Sequence, residues 1–399
     1  MMSEWKKYKL DDLIEVKHGF AFKGTFITDT PTKDILVTPG NFKIGGGFKD
    51  LKFKYYTGEC PESYTLKTGD IVVTMTDLSQ DTDTLGYSAK IPERRGVKFL
   101  HNQRIGLVDI KSDEVIKDFL YWVLRTYEYQ GFIKNSASGT SIMHTSPKNI
   151  KEYEFLLPPL PEQAAIAEVL SSLDDKIDLL HRQNSTIEKL ASMLFRQWFI
   201  EEENGWEVRK IDSVVTIKGG GTPSTTNPSF WNGNMNWTSP RDLSRSNNLF
   251  LVDTEKKITA LGLKKVSSGL LPVGTLLLSS RAPIGYLALT EIPVAINQGY
   301  IAMICNKGFS KYYMYLWVKQ NMDLILNAAN GSVFDEISKT IFRDLDFLIP
   351  PKEAIQNIEN EIEPLFEKIK SNAQQIKTLT QLRNTLLPKL MNGTVKVSG

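Results

Sequence analysis

The chain repeats itself. Trp5, Lys9-Leu10-Asp11-Asp12 and Val16-Lys17-His18-Gly19 return 201 residues later as Trp206, Lys210-Ile211-Asp212-Ser213 and Ile217-Lys218-Gly219-Gly220. Gly69-Asp70-Ile71-Val72-Val73 is answered by Gly274-Thr275-Leu276-Leu277-Leu278, Gly86-Tyr87 by Gly285-Tyr286, and Asn102-Gln103 by Asn297-Gln298. Phe155-Leu156-Leu157-Pro158-Pro159 returns as Phe347-Leu348-Ile349-Pro350-Pro351, 192 residues on. The order never changes, so one unit of about half the chain has been duplicated in tandem.

Each unit reads as a mixed domain followed by a long helix. Short β-branched or apolar runs at 71–74, 105–110, 275–279 and 300–304 lie between Gly, Asn, Asp and Ser clusters, which are strand and turn signals. Helical stretches near 115–127 and 311–326 close each domain, giving an α+β fold. Their aromatics, Phe119, Tyr121 and Trp122 and then Tyr312, Tyr313, Tyr315 and Trp317, fall at helical spacing and read as core. The expected divisions are a first domain at 1–157, a helix at 158–200, a second domain at 201–349, and a second helix with a C-terminal tail at 350–399.

Prolines at 158, 159 and 161, and again at 350 and 351, suit the first turn of a helix. From there Ile166, Leu170, Leu173, Ile177, Leu180, Asn184 and Ile187 alternate steps of four and three, the spacing of a coiled-coil seam. Ile358, Ile362, Leu365, Ile369, Asn372, Ile376 and Leu379 repeat it. Some 40 residues at 1.5 Å each make a rod about 60 Å long, too long to hide under one small domain. The two helices are therefore expected to pack on each other as an antiparallel coiled coil, since a pseudo-two-fold axis relates the repeats. That axis sets Asn184 opposite Asn372, Leu180 opposite Ile376 and Ile187 opposite Ile369. Leu194, Phe195, Trp198 and Phe199 are either a partner patch or core beneath the second domain.

The 48 Lys and Arg against 46 Asp and Glu leave a net charge of +2, and neither half is basic as a whole: 22 against 21 over 1–160, and 15 against 14 over 201–351. Any anion-binding surface must come from local segregation of charge. The two cysteines, Cys60 and Cys305, support neither a disulfide framework nor a zinc cage. No long apolar run is present and the first nine residues are polar, so a cytoplasmic protein is expected. The four histidines, His18, His101, His144 and His181, lack metal-ligand spacing and read as structural or surface residues. Gly219-Gly220-Gly221-Thr222 lacks the Lys-Ser/Thr ending of a phosphate-binding loop. Asn227-Pro228-Ser229-Phe230 is similar to the adenine-gripping loop of amino-methyltransferases, but without its second proline and with no cofactor loop upstream it reads as a turn. No catalytic residue, metal site or cofactor is expected in this chain.

Binding chemistry lies in matched polar loops. A basic, glycine-rich loop follows the first predicted strand of each domain: Lys17 and His18 with Lys23, and Lys218 with Thr222 and Ser224. Glycine lets backbone N–H groups approach phosphate, and lysine adds charge. Asn102, Gln103 and Arg104 stand beside Asn297 and Gln298, Gly139, Thr140 and Ser141 beside Ser332, and Arg241, Ser280 and Arg281 add further polar groups. Arg, Asn and Gln make bidentate contacts with base edges. Each alone reads as a loop former, and the weight comes from recurrence in two domains.

These features together resemble the specificity subunit of type I restriction-modification systems, over essentially the whole chain. The resemblance is carried by Phe155-Leu156-Leu157-Pro158-Pro159-Leu160-Pro161-Glu162-Gln163 leading to Leu173-Asp174-Asp175-Lys176-Ile177, by Lys218-Gly219-Gly220-Gly221-Thr222-Pro223-Ser224 with Phe230-Trp231-Asn232-Gly233, and by Arg281 through Asn297-Gln298. Leu386-Leu387-Pro388-Lys389-Leu390-Met391-Asn392-Gly393 agrees with a family C-terminus. The second helix departs, with Lys352-Glu353-Ala354-Ile355 where Leu-Pro-Glu-Gln is expected, and the first domain carries His18-Gly19-Phe20-Ala21 in place of the glycine run.

The resemblance implies two target-recognition domains, each reading one half of a split double-stranded DNA site, with the helices as the spacer. It implies two methyltransferase subunits holding S-adenosylmethionine, and through them restriction motor-nuclease subunits using ATP and Mg. The chain itself would be non-catalytic, and its near-neutral charge predicts weak DNA binding until the partners close around the duplex. The rival readings are a coiled-coil adaptor with two protein-binding domains, a fused nuclease or methyltransferase, and the recognition subunit of a modification-only or differently organised restriction system.

Overall fold

The computed structural model describes residues 5–50, 52–77, 82–140, 142–201, 206–245, 248–281, 283–329 and 336–397, with 199–201 and 245 as backbone only. Contacts group the chain into two units, Met1–Asp175 with Thr380–Gly399, and Lys176–Leu379. The two long helices, Leu160–Glu201 and Lys352–Met391, are each divided between the units. Among the described residues, no helix is long and apolar enough to cross a membrane.

In the first unit, strand Lys6–Lys9 lies antiparallel on Glu154–Leu157, so the domain's first and last strands pair and deliver the chain to the first long helix. A four-stranded antiparallel sheet runs Ile14–His18, Ile105–Ile110, Ile71–Thr74, Ser88–Lys90. Ile71 and Val73 face the core under the helices, whereas Val72 and Ile105 face a second core with Ile35 and Val37. Burial on both faces is why this strand is an unbroken apolar run. A five-stranded sheet carries Asp34–Val37 parallel to Lys98–His101.

The second unit repeats the plan. Glu207–Lys210 pairs antiparallel with Asp346–Ile349. Thr216–Gly219, Tyr300–Ile304, Leu276–Ser279 and Leu287–Thr290 form the equivalent sheet, with Leu276 and Leu278 on one core and Leu277 on the other. The parallel pair recurs as Trp231–Thr238 with Val294–Ile296.

The aromatic helices are buried as expected but broken. The first domain has Lys117–Val123 and then Tyr127–Ser136, where the Thr126 side chain caps the new helix by accepting from the Tyr129 N–H. The second has Lys311–Gln320 and Met322–Ala329, with the Asn321 amide donating to the Trp317 carbonyl at 2.9 Å. A side chain that satisfies backbone groups at a helix end makes such a break inexpensive.

Within the second unit the long helices run antiparallel. The Asn372 amide donates to Asn184 at 2.8 Å, and Ile177, Leu180 and Ile376 cluster with Leu379. Ile187 and Ile369 join the domain core beyond them. Within the first unit Arg383 reaches Asp174. The buried stripe is broader than a two-helix seam. Ile166, Leu170, Ile358, Ile362, Phe366 and Ala373 are buried, while Leu173 and Leu365 are half-buried. Phe366 and Ala373 lie outside the expected seam because the helix buries a second face on its own domain, where Tyr312 stacks on Phe366 at 4.6 Å. Of the segment weighed as a partner patch, Phe195 and Trp198 belong to that core: Phe195 meets Tyr313 at 5.0 Å, and Trp198 donates to Glu361 at 3.2 Å. The Phe199 side chain lies outside the described residues.

Candidate nucleic-acid interface

In both domains the glycine loop after the first sheet strand lies against the Asn-Gln loop. In the first, the Phe20 N–H donates to the His101 carbonyl at 2.7 Å and the Gln103 N–H to the Phe20 carbonyl at 3.0 Å. A Cβ on Gly19 would sit 2.2 Å from the Asn102 carbonyl oxygen, so only glycine allows this approach. In the second, the Gly221 N–H donates to the Ile296 carbonyl at 2.9 Å, and a Cβ on Gly220 would lie 2.0 Å from that same oxygen. Asn102 accepts from the Arg104 N–H at 2.9 Å and Asn297 from the Gly299 N–H at 2.7 Å. These asparagines therefore form the turns, and the exposed glutamines beside them face solvent.

Around this frame the first domain gathers its other polar residues. His18, Lys23, Gln103 and Arg104 are exposed, while Lys17 is exposed but paired with Asp109. The Arg104 carbonyl accepts from the Met75 N–H at 2.9 Å. The next residue, Thr76, bonds His144 Nδ1 at 3.1 Å, and His144 pairs with Ser138 across a hairpin whose exposed tip carries Gly139 and Thr140. Gly139 has φ +122, and a Cβ there would meet the Ile142 oxygen at 2.0 Å. Ser141 lies outside the described residues. Beneath the loop His101 is buried, with Nε2 2.8 Å from the Ile105 carbonyl, and burial holds its pKa below the ordinary 6.5.

The second domain is tied more tightly. Ser267 donates to the Gly219 and Gly220 carbonyls at 3.1 and 2.9 Å, and Trp237 to Gly221 at 3.1 Å. Thr222 donates its hydroxyl to the Gln298 side-chain oxygen at 2.6 Å, and the Ser224 carbonyl accepts from Trp231 at 3.0 Å. Lys218 and Arg241 are exposed, the latter on helix Pro240–Arg245 next to the Asn297 turn. Arg281 forms a bridge to Glu336, 3.6 Å between charges. Ser280 differs from the expectation: it is buried, its N–H donates to Gly299 and its carbonyl accepts from Ile337, so it anchors the strand end that presents Arg281. Ser332 lies outside the described residues. Asn227-Pro228-Ser229-Phe230 is a capped turn, with Asn227 accepting from the Ser229 N–H at 3.0 Å.

His144 and Glu336, which were not among the expected polar loop residues, border the same frame. Each pairs with the chain just after an inner sheet strand, His144 with Thr76 after Ile71–Thr74 and Glu336 with Arg281 after Leu276–Ser279. Different residue types at one structural position hide the equivalence from sequence comparison.

The family model for the type I restriction modification DNA specificity domain matches residues 2–189 and again 203–381. The chain belongs to this family. Its matched loops are thus those of two tandem DNA sequence-recognition domains. The MjaIX specificity subunit of Methanocaldococcus jannaschii is 25% identical over 312 residues, covering 72% of this chain and 71% of its own. The HindI specificity subunit of Haemophilus influenzae is 23% identical over 486 residues, covering 99% and 100%. The fold is that of the type I S subunit from M. genitalium, with a TM-score of 0.58 at 18% identity over 98% of this chain and 96% of that one.

Proposed function

We propose that this chain reads a two-part DNA target, one block per domain, and directs adenine methylation and restriction by partner subunits. The observation that carries the reading is the recurrence, in both domains of a family member, of an exposed lysine leading into a glycine loop that is locked to an Asn-Gln turn with an exposed glutamine. Backbone groups and Lys17, Lys23, Lys218 and Arg241 supply phosphate contacts, which position the protein without reading sequence. Gln103, Arg104, Gln298 and Arg281 supply base contacts, for which bidentate Arg and Gln groups are suited. The paired helices set the distance between the blocks.

Two methyltransferase subunits, holding S-adenosylmethionine, perform the methylation, and motor-nuclease subunits with ATP and Mg join through them. This chain contributes no catalytic group and acts in the cytoplasm. The test is selection from a randomised duplex pool with the chain assembled with its methyltransferase subunits. Two short defined blocks at a fixed spacing are expected, and no enrichment by an intact complex overturns the proposal.

A further inference from the structure

The two equivalent glutamines sit in different chemical states. Gln298 is exposed, but its side-chain oxygen is engaged by the Thr222 hydroxyl at 2.6 Å. Thr222 is itself held on a braced loop, since the Gly219, Gly220 and Gly221 carbonyls are fixed by Ser267 and Trp237. The carboxamide oxygen is thereby turned toward the loop, and the opposite end of the planar amide, the NH2 with its two donors, is left to a ligand. In the first repeat, offset by 201 residues, Ala21 stands where Thr222 stands. Alanine has no hydroxyl, and among the described residues the exposed Gln103 amide makes no hydrogen bond within the protein.

We propose that residue 21 or 222 sets which base edge its glutamine reads. Gln103, with donor and acceptor both free, makes the paired contact with adenine, accepting from N6 and donating to N7. Gln298, clamped by Thr222, presents donors alone and selects an acceptor edge, guanine O6 and N7 or thymine O4. The inference rests on the DNA-reading function proposed above and assigns chemistry to one position in each half-site.

The experiment is the same pool selection, made with the full complex carrying Thr222→Val, Thr222→Ser or Gln103→Ala. Val keeps the shape of threonine without the hydroxyl, whereas Ser keeps the hydroxyl. Thr222→Val is expected to move one position of one half-site toward adenine while Thr222→Ser retains the original base. Gln103→Ala is expected to erase an adenine preference at one position of the other half, a loss of roughly 5- to 150-fold in discrimination. The untouched half-site in each selection reports that the complex is folded and assembled. A bipartite target from the wild-type complex that Thr222→Val leaves unchanged overturns this inference and leaves the DNA-reading function standing. Absence of any target from the wild-type complex overturns both.

Discussion

The two repeats dock their domains on the long helices with different chemistry at matched positions. In the first unit Arg125 is buried and joins Asp174 at 2.6 Å, the Tyr121 hydroxyl at 2.8 Å and the Gly45 carbonyl at 2.9 Å, with its guanidinium 4.3 Å from the Trp122 ring. Arg383 binds the other oxygen of Asp174. Burial drives the Asp174 pKa up, but the two arginines outweigh it and hold the carboxyl below its ordinary 3.8. In the second unit the position matching Arg125 is Lys319, which is half-exposed and pairs with Glu188, as does the Tyr315 hydroxyl. The burden there falls on Phe366, which stacks on Tyr312 and meets Tyr315 edge to face.

The helix starts differ in the same way. Buried Gln163 satisfies the Ile116 N–H and the Glu114 and Pro158 carbonyls, each at 2.8 Å. Ile355 occupies its place in the second repeat, and Glu359, one turn on, accepts from the Ser310 N–H at 2.7 Å instead. A duplicated fold thus keeps its plan through apolar burial, while its polar ties are exchanged for others that satisfy the same backbone groups.

The comparison can be broken by removing each anchor. Arg125→Ala should cost the first unit about 3–5 kcal/mol, because it removes a buried guanidinium from the half-buried Asp174 carboxylate and leaves the Gly45 carbonyl without its donor. Phe366→Ala should cost the second about 3–5 kcal/mol through lost burial and a cavity. Hydrogen exchange read separately over each unit should show each loss confined to its own unit. The two should separate in acid. With its folded pKa below 3.8, Asp174 contributes stability that is present above that value and lost as pH falls through the depressed pKa, so the Arg125→Ala penalty should shrink there while the Phe366→Ala penalty stays.

A smaller effect is expected at the polar pair of the seam. Asn372 is fully buried and its Oδ1 has no hydrogen-bond partner, so replacing both Asn184 and Asn372 with leucine should raise the melting temperature, by about 1–2 kcal/mol in stability. The same double variant should loosen the register that the amide bond selects, visible as scrambled disulfides between cysteines introduced along the two helices. An unchanged pattern would show that apolar residues set the register alone.

The smallest effect concerns His101. Its folded pKa lies below 6.5, so protonation favours the unfolded chain and stability of the first unit falls as pH drops below 6.5 toward the depressed value. His101→Gln should flatten that slope between pH 7 and 5 in thermal unfolding. The second repeat has Ile296 at the end of the matching strand and should show no such slope.

The duplication, the alternation of strands and helices, the long helices and the antiparallel pairing of Asn184 with Asn372 were all determined by the sequence alone. Each has a periodic or symmetric signature: apolar residues every second or every three to four positions, or two repeats whose axis makes partner numbers sum to a constant. The recurrence of glycine loops and Asn-Gln loops was legible for the same reason. Only the tertiary structure decided that these loops lie against each other, that Asn102 and Asn297 make turns while their neighbouring glutamines stay exposed, and that Ser280 is buried. It alone joined Arg125 and Arg383 to Asp174, placed Phe366 under Tyr312 and set Thr222 on Gln298. Those contacts link residues 49 to 209 positions apart with no repeating pattern between them, and a hydrogen bond or stacked ring depends on atoms brought within a few ångströms rather than on spacing along the chain.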